Sequence, residues 1–132
     1  MKRILYLIMC IMLTVVSISA NHTLTATMYD AHYFSGRATA SGDVVNPRLV
    51  ENGNHRWVAL SRDMFNKGYD FGDEIYVETD IPSLKGVWVV MDKMGARHTN
   101  AIDFLMTKKS SKGFGGKSKV KIKMHKKRKQ KS

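Results

Sequence analysis

GVWVVMDKMGARHTNAIDFLM, residues 86–106, contains two apolar runs, and each of them carries an aspartate. The first run, GVWVVM, is apolar on both faces, a pattern typical of a central β-strand, and it is followed at once by Asp92. The second run contains Asp103. Because carboxylates are rarely buried unless they are paired or used, Asp92 and Asp103 are the first candidates for a functional site.

Four further runs have strand character. LTATMY (24–29) and KVKIKM (119–124) alternate apolar and polar residues, and RWVAL (56–60) and DEIYVE (73–78) are short and apolar on at least one face. Turn sequences such as SGD, NPR, ENGN and GFGG separate the runs. We therefore predict a single all-β domain of roughly five to seven short strands, a small barrel or sandwich.

Residues 1–20, MKRILYLIMCIMLTVVSISA, have the pattern of a secretory signal peptide. Lys2 and Arg3 precede an uncharged, mostly apolar stretch that closes with small residues at Ala20. The alternative is an uncleaved membrane anchor, although the stretch is short for one. We predict export to the periplasm, the cell envelope or the extracellular space. Cys10 is the only cysteine, so after cleavage an apolar core without disulfides would have to hold the domain.

The net charge of +11 is concentrated at the C-terminal end. Residues 108–132 contain 12 Lys and Arg and no acid, whereas residues 21–107 contain 8 basic and 11 acidic residues. Residues 125–132, HKKRKQKS, are predicted to form a basic tail, which is either solvated or bound to an anionic envelope polymer or a membrane surface. Nucleic acid is not an expected partner, because the rest of the domain does not interleave basic and aromatic residues.

Seven segments, taken in order, resemble a known family: TATMY, GRATASGD, WVALS, YDFGDEIYV, GVWVVMDKMG, NAIDF and FGGKSKVKIKM. They are similar to the 3D domain, named for three aspartates, and to its relatives, the rare-lipoprotein-A proteins and the MltA-type lytic transglycosylases. The resemblance implies a six-stranded double-psi β-barrel over residues 21–124. It also implies binding of peptidoglycan glycan strands, which one aspartate cleaves in the catalytic members.

The resemblance assigns two of the three family aspartates. They fall on Asp92 and on Asp103, while the remaining family position is occupied by Ser61, with Asp63 close by. The family residues that line the cleft correspond to Tyr29 and, in TASGD, to two further substrate-binding positions, Thr39 and Ser41. The alternative for TASGD is an ordinary turn sequence.

Cleavage of a glycosidic bond needs a group that donates a proton to the leaving oxygen. An apolar wall and a neighbouring carboxylate both raise the pKa of an aspartate, which allows it to keep that proton. We therefore predict Asp103 as the general acid and later the general base, and Asp92 as the residue that positions the substrate and tunes Asp103. The alternative for both is structural capping of backbone N–H groups.

Two other residues are candidates for substrate contact. Trp88 shares a face with Asp92 if the strand is regular, so its ring could stack on a sugar, although core packing is the alternative. His98 lies between the two aspartates, and its alternative is a solvated loop histidine. The five histidines show no close pairing, so we predict no metal and no cofactor.

These residues support three functions, with a monomer expected in each. The first is a lytic transglycosylase or related O-glycosidase that acts on peptidoglycan. The second is a non-catalytic module that binds peptidoglycan glycan strands. The third is an exported antagonist of other cells that attaches through its basic tail.

Overall fold

The computed structural model describes residues 20–129. The predicted signal peptide, 1–20, lies outside the described residues except for Ala20, as do the last three residues of the predicted tail. Within 20–129, none of the helices has the length and apolarity that a membrane crossing requires.

The described chain forms six strands and two short helices. In order they are β1 (His22–Asp30), α1 (Pro47–Glu51), β2 (Trp57–Leu60), α2 (Arg62–Asn66), β3 (Glu74–Glu78), β4 (Gly86–Lys93), β5 (Ala101–Met106) and β6 (Ser118–Lys126). Helix α1 begins at the NPR sequence that the sequence analysis assigned to a turn: the side chain of Asn46 caps it, and Pro47 is its first residue.

The strands close into a barrel with the order β1-β5-β2-β4-β3-β6. The pairs β1–β5 and β2–β4 are parallel, and the other four pairs are antiparallel. The prediction of an all-β, six-stranded barrel is confirmed.

The barrel interior is filled by the inward side chains of all six strands. Leu24 and Ala26 of β1 are fully buried there, as the alternation in LTATMY predicts. Phe104 of β5 is also fully buried, and its ring meets the Trp88 ring edge-on at 4.8 Å between centroids. The polar residues of the same strands therefore point to the outside of the barrel.

A second apolar cluster covers part of the outside. It joins the segment between β1 and β2 to the barrel wall through Ala31, Val45, Val50, Trp57 and Leu105. Residues 31–46 are thereby held against the outer face of the barrel, even though they contain no strand of their own.

Strand β4 contains an irregularity that determines which way Asp92 points. Val58 of β2 pairs with Val90, but Ala59 pairs with Asp92, so Met91 is an extra residue in β4. This β-bulge reverses the alternation, because Val90 points into the core while Asp92 lies level with the outward-facing Ala59.

The C-terminal end of the described chain binds back to the barrel at Asp73, which is fully buried. The Asp73 carboxylate accepts hydrogen bonds from Lys127 Nζ at 2.7 Å, from the Arg128 N–H at 2.8 Å and from the Asp70 N–H at 2.8 Å. A Cβ on Gly72, whose φ is +88°, would lie 2.5 Å from the Arg128 side chain. We call this arrangement the C-terminal clasp.

The clasp changes the description of the basic tail. The sequence analysis ended the barrel domain at residue 124, whereas β6 continues through Lys126. Lys127 and Arg128 are then bound to Asp73 through the contacts of the C-terminal clasp. Part of the basic run therefore holds the fold together.

Candidate functional site

Asp92 and Asp103 lie on the same outer face of the barrel. Both pair with Ala59 of β2, Asp92 from the β4 side and Asp103 from the β5 side. With neighbouring strands about 4.8 Å apart, their Cα atoms are separated by roughly 10 Å across β2. We call the surface formed by these two aspartates, Thr27 and Tyr29 the acidic site.

Asp103 is half-buried and has one hydrogen-bond partner within the described chain. Thr27 of β1, directly opposite in the parallel pair β1–β5, donates from Oγ1 to Asp103 Oδ1 at 3.0 Å. Burial raises the pKa of Asp103 to about 6, and Asp92 adds to this rise, while the Thr27 hydrogen bond and the nearby His98 act against it. Asp103 therefore changes its charge between weakly acidic and neutral pH.

Asp92 is also half-buried, and one of its oxygens binds backbone. Its Oδ1 accepts from the Ala40 N–H and from the Lys93 N–H, both at 2.9 Å. The Ser41 N–H donates to the carbonyl of Met91 at 3.2 Å. These contacts attach the segment 38–43 to the end of β4, so Asp92 has a structural role in addition to any contact with a ligand.

Tyr29 lies close to both carboxylates. Burial, followed by the charges of Asp92 and Asp103, raises the pKa of Tyr29 far above its usual value. The Tyr29 hydroxyl is buried and has no hydrogen-bond partner within the described residues. An unpaired buried hydroxyl costs free energy, so a polar ligand that reached this group after a small side-chain movement would gain a hydrogen bond.

The two predicted contacts in TASGD are closely packed. Thr39 is 8% exposed, and its hydroxyl lies 2.7 Å from that of Ser41. Ser41 Oγ also donates to Asp43 Oδ2 at 3.4 Å. Ser41 is half-buried and is therefore the more accessible of the two.

Trp88 does not belong to the acidic site. It is 3% exposed inside the barrel, and its indole N–H donates to the Leu84 carbonyl at 2.7 Å. Because its ring is buried inside the barrel, the prediction that Trp88 contacts a sugar is corrected. The bulge at Met91 explains the error, because it puts Trp88 and Asp92 on opposite sides of β4.

His98 lies in the loop between β4 and β5, half-buried and close enough to Asp103 to lower its pKa. Its Nε2 accepts a hydrogen bond from Arg97 Nε at 3.3 Å. Contact between His98 and a ligand stays a prediction.

Ser61, which the family resemblance aligns with the one aspartate that is missing here, is fully buried beneath the start of β5. Its Oγ accepts from the Ala101 N–H at 3.0 Å, and Asp63 Oδ2 accepts from the Asn100 N–H at 3.0 Å. Asn100 has a φ of +46°, a left-handed conformation that this residue type tolerates. Ser61 and Asp63 thus fix the loop that carries His98 and leads into the strand of Asp103.

Sequence reasoning missed two groups in the site. Thr27 could have been found, because the alternation of LTATMY puts it on the same face as Tyr29. No sequence pattern identifies the Ala40 N–H as a partner of Asp92, because every residue except proline has a backbone N–H.

The site is shallow. Depressions of about 540, 460 and 220 Å³ occur on the surface, and neither Asp92 nor Asp103 lines any of the three. Within residues 20–129, no three His, Cys, Asp or Glu residues cluster as metal ligands do. The expected absence of a metal and of a cofactor stays a prediction.

Two solved structures are similar to this fold. One is the apo form of Clavibacter michiganensis expansin, with a TM-score of 0.58 and 13% identity over 84% of this chain and 53% of that chain. The other is a mutant of Clavibacter michiganensis expansin in complex with cellohexaose, with a TM-score of 0.52 and 14% identity over 86% of this chain and 53% of that chain. The chain thus spans about half the length of each.

At this identity the likeness concerns the fold, and together with the strand order it confirms the predicted double-psi β-barrel. No protein-family model matches the sequence, and neither does a curated protein. Membership of the 3D or rare-lipoprotein-A family stays a prediction.

Proposed function

We propose that this chain binds a cell-wall glycan strand across the acidic site and that it does so without cleaving the strand. The observation that carries the proposal is unused hydrogen-bonding capacity at the acidic site. The Tyr29 hydroxyl has no partner, and Oδ2 of Asp92 and of Asp103 accepts no hydrogen bond within the described chain. A carbohydrate, with many hydroxyl groups, can both accept from the phenol and donate to the carboxylates.

The shape of the site supports a polymer as the ligand. Enclosed cavities suit small molecules, whereas Asp92 and Asp103 line none of the three surface depressions. An expansin of the same fold has been solved in complex with cellohexaose, a linear oligosaccharide. That complex supports a linear glycan over a compact ligand. Peptidoglycan is our proposed glycan because of the family resemblance of the sequence.

Cleavage is the second candidate, and the raised pKa of Asp103 favours it. With a pKa of about 6, Asp103 keeps a proton in roughly one molecule in ten at pH 7, which is enough for a weak general acid. Two observations make binding the stronger proposal. One solved structure of the same fold that holds a glycan is an expansin in complex with cellohexaose. Moreover, in the family resemblance Ser61 stands where one of the three aspartates is expected.

The test is incubation of the purified protein with isolated peptidoglycan sacculi. We expect the protein to sediment with the sacculi and to release no soluble sugar. Tyr29→Phe should weaken binding about fivefold, the effect of one lost hydrogen bond. Tyr33→Phe is the matched control, because Tyr33 is 68% exposed and lies outside the acidic site, and it should bind as the wild type does.

Two results would contradict the proposal. Soluble anhydro-sugars that appear with the wild type and disappear with Asp103→Asn would show that the chain is an enzyme. Equal binding by wild type, Tyr29→Phe and Asp103→Asn would show that the acidic site is not where the glycan binds.

The compartment and the oligomeric state belong to the same proposal. Export through the N-terminal segment would bring the domain to the cell wall, where its ligand is found. We propose that a monomer is sufficient, because all four groups of the acidic site come from one chain.

A further inference from the structure

The outer face of β6 carries a row of lysines that the acidic site does not use. Lys119, Lys121 and Lys123 alternate with the core residues Val120 and Ile122, and all three are exposed. We call them the lysine stripe. Within the described residues none of the three lies within 4 Å of a carboxylate oxygen, so their charges are not neutralised by ion pairs.

The neighbouring strands give the stripe two different sides. On β1, Lys121 pairs with Thr23 and Lys119 with Thr25, whose Oγ1 accepts from Lys119 Nζ at 2.8 Å. On β3, Lys121 pairs with Glu78. The β1 residues beside the stripe are thus neutral and polar, while β3 contributes Glu78 next to it; the nearest acid beyond β1 is Asp103, which pairs with Thr27.

The β3 side has other charges, and a depression reaches from it to β1. This depression, of about 460 Å³, is lined by Lys85, by two acids, Glu78 and Asp80, by part of the stripe and by Thr23 of β1. On the β3 side Lys123 lies over the Tyr76 ring at 5.6 Å, and Lys126 pairs with Glu74. The acids that border the stripe therefore come from β3 and the segment after it, while Asp103 lies beyond β1.

The spacing of the stripe selects a linear ligand. Alternate residues of a strand are about 7 Å apart, so the three ammonium groups are spread along about 14 Å of the strand. A chain with regularly repeated negative charges can contact all of them at once, and each contact releases counterions.

The surroundings favour a polymer over a membrane. Amphipathic surfaces that bind membranes carry apolar side chains that insert into the lipid beside their basic residues. The large apolar side chains that are exposed in the described structure are Tyr33 and Val44, both in the segment between β1 and β2 and away from β6. The three lysines also lie in a single row, which suits contact with a linear polymer better than contact with a flat membrane surface.

We propose that the lysine stripe is a second binding surface, for a linear anionic polysaccharide that runs along the outer face of β6. This surface is distinct from the acidic site, because its positive charges all come from β6, whereas the acidic site is formed by β1, β4 and β5. The proposal therefore does not depend on the proposed function.

The experiment measures binding of polygalacturonate, with neutral dextran as the uncharged probe. The test variant is Lys119→Gln/Lys121→Gln/Lys123→Gln. The matched control, Lys108→Gln/Lys109→Gln/Lys112→Gln, removes the same charge from exposed lysines in the loop before β6. A third variant with arginine at the three stripe positions keeps the charge.

We expect the stripe variant to lose at least tenfold in affinity and the control less than threefold. The slope of log K against log salt concentration should fall by roughly 2 to 3 in the stripe variant. The arginine variant should bind as the wild type does, and dextran should not bind through the stripe.

Equal losses in the two glutamine variants would overturn the proposal, since they would show an effect of net charge alone. Unchanged binding in the stripe variant would also overturn it. Binding to phosphatidylglycerol vesicles that is as tight as binding to polygalacturonate, and is lost in the same variant, would identify a membrane as the partner instead.

Discussion

Asp73 and Asp103 are both aspartates within the barrel structure, but their surroundings are opposite. Asp73 is fully buried, and three groups donate hydrogen bonds to its two oxygens. Asp103 is only half-buried, yet it has a single partner, Thr27, and burial raises its pKa to about 6. A buried carboxylate whose oxygens accept several hydrogen bonds stabilises the fold. A carboxylate with few donors lowers the stability of the fold and keeps an oxygen free to bind a ligand.

The largest expected effect is at Asp73. Asp73→Asn removes the charge that Lys127 pairs with and replaces an acceptor oxygen by an amide NH₂ group facing backbone donors. We expect the free energy of unfolding to fall by about 3 kcal/mol, measured by urea denaturation. Asp70→Asn is the control: Asp70 is exposed, its ion pair with Arg128 is 4.0 Å long, and its loss should cost less than about 1 kcal/mol. Equal losses in both variants would contradict the role given to Asp73.

Replacing Asp103 by asparagine should raise the free energy of unfolding, whereas the same replacement at Asp73 lowers it. The folded pKa lies above the ordinary value of 3.8, so ionisation destabilises the folded state as pH rises from about 4 through 6. Asp103→Asn cannot ionise and should be more stable than the wild type by about 2 kcal/mol at pH 7, allowing for partial exposure, and equal to it near pH 3.

The measurement for Asp103 is the free energy of unfolding of both proteins between pH 3 and pH 8. Asp80→Asn, at an exposed aspartate, should follow the wild type at every pH. If the wild type were more stable than Asp103→Asn at pH 7, ionised Asp103 would not destabilise the fold, and the contrast drawn with Asp73 would be wrong.

A pair of buried hydroxyls extends the comparison to smaller effects. Ser61 Oγ has a partner, the Ala101 N–H, whereas the Tyr29 hydroxyl has none. Ser61→Ala should therefore lower the free energy of unfolding by about 1 to 2 kcal/mol, and Tyr29→Phe should leave it unchanged or raise it by up to about 1 kcal/mol. Thermal unfolding of the two variants measures this difference, and a clear loss of stability in Tyr29→Phe would contradict it.

The smallest effect concerns the hydrogen bond that Asp103 does have. Thr27→Val removes a donor that favours the ionised form, so the pKa of Asp103 should move further above 6. The pKa is measured from the carboxyl carbon shift of Asp103 by NMR. Thr25→Val, two residues earlier on the same face, should not change it, because the Thr25 hydroxyl binds Lys119 instead.

The sequence predicted the strands well, because each strand has a local pattern. The alternation in LTATMY and KVKIKM identified β1 and β6, and the two-sided apolar run identified β4. The prediction of a barrel rested on the order of the seven segments that resemble the 3D domain, and no single strand pattern would have given it.

The details of the site were less predictable, because they depend on contacts between distant residues. The bulge at Met91 follows from the register of β2 against β4, which nothing within β4 specifies, and this misled the assignment of Trp88. In the same way, the basic composition of residues 125–132 suggested a free tail, since the partner of Lys127 lies at Asp73, 54 residues earlier.

The position of β6 has a consequence for how the molecule is made. Strand β6 pairs with both β1 and β3 and completes the barrel, so the ring of strands cannot close until residues 118–126 have left the ribosome. Until then the edges of β1 and β3 that β6 will cover have no partner strand, and the barrel interior is not enclosed.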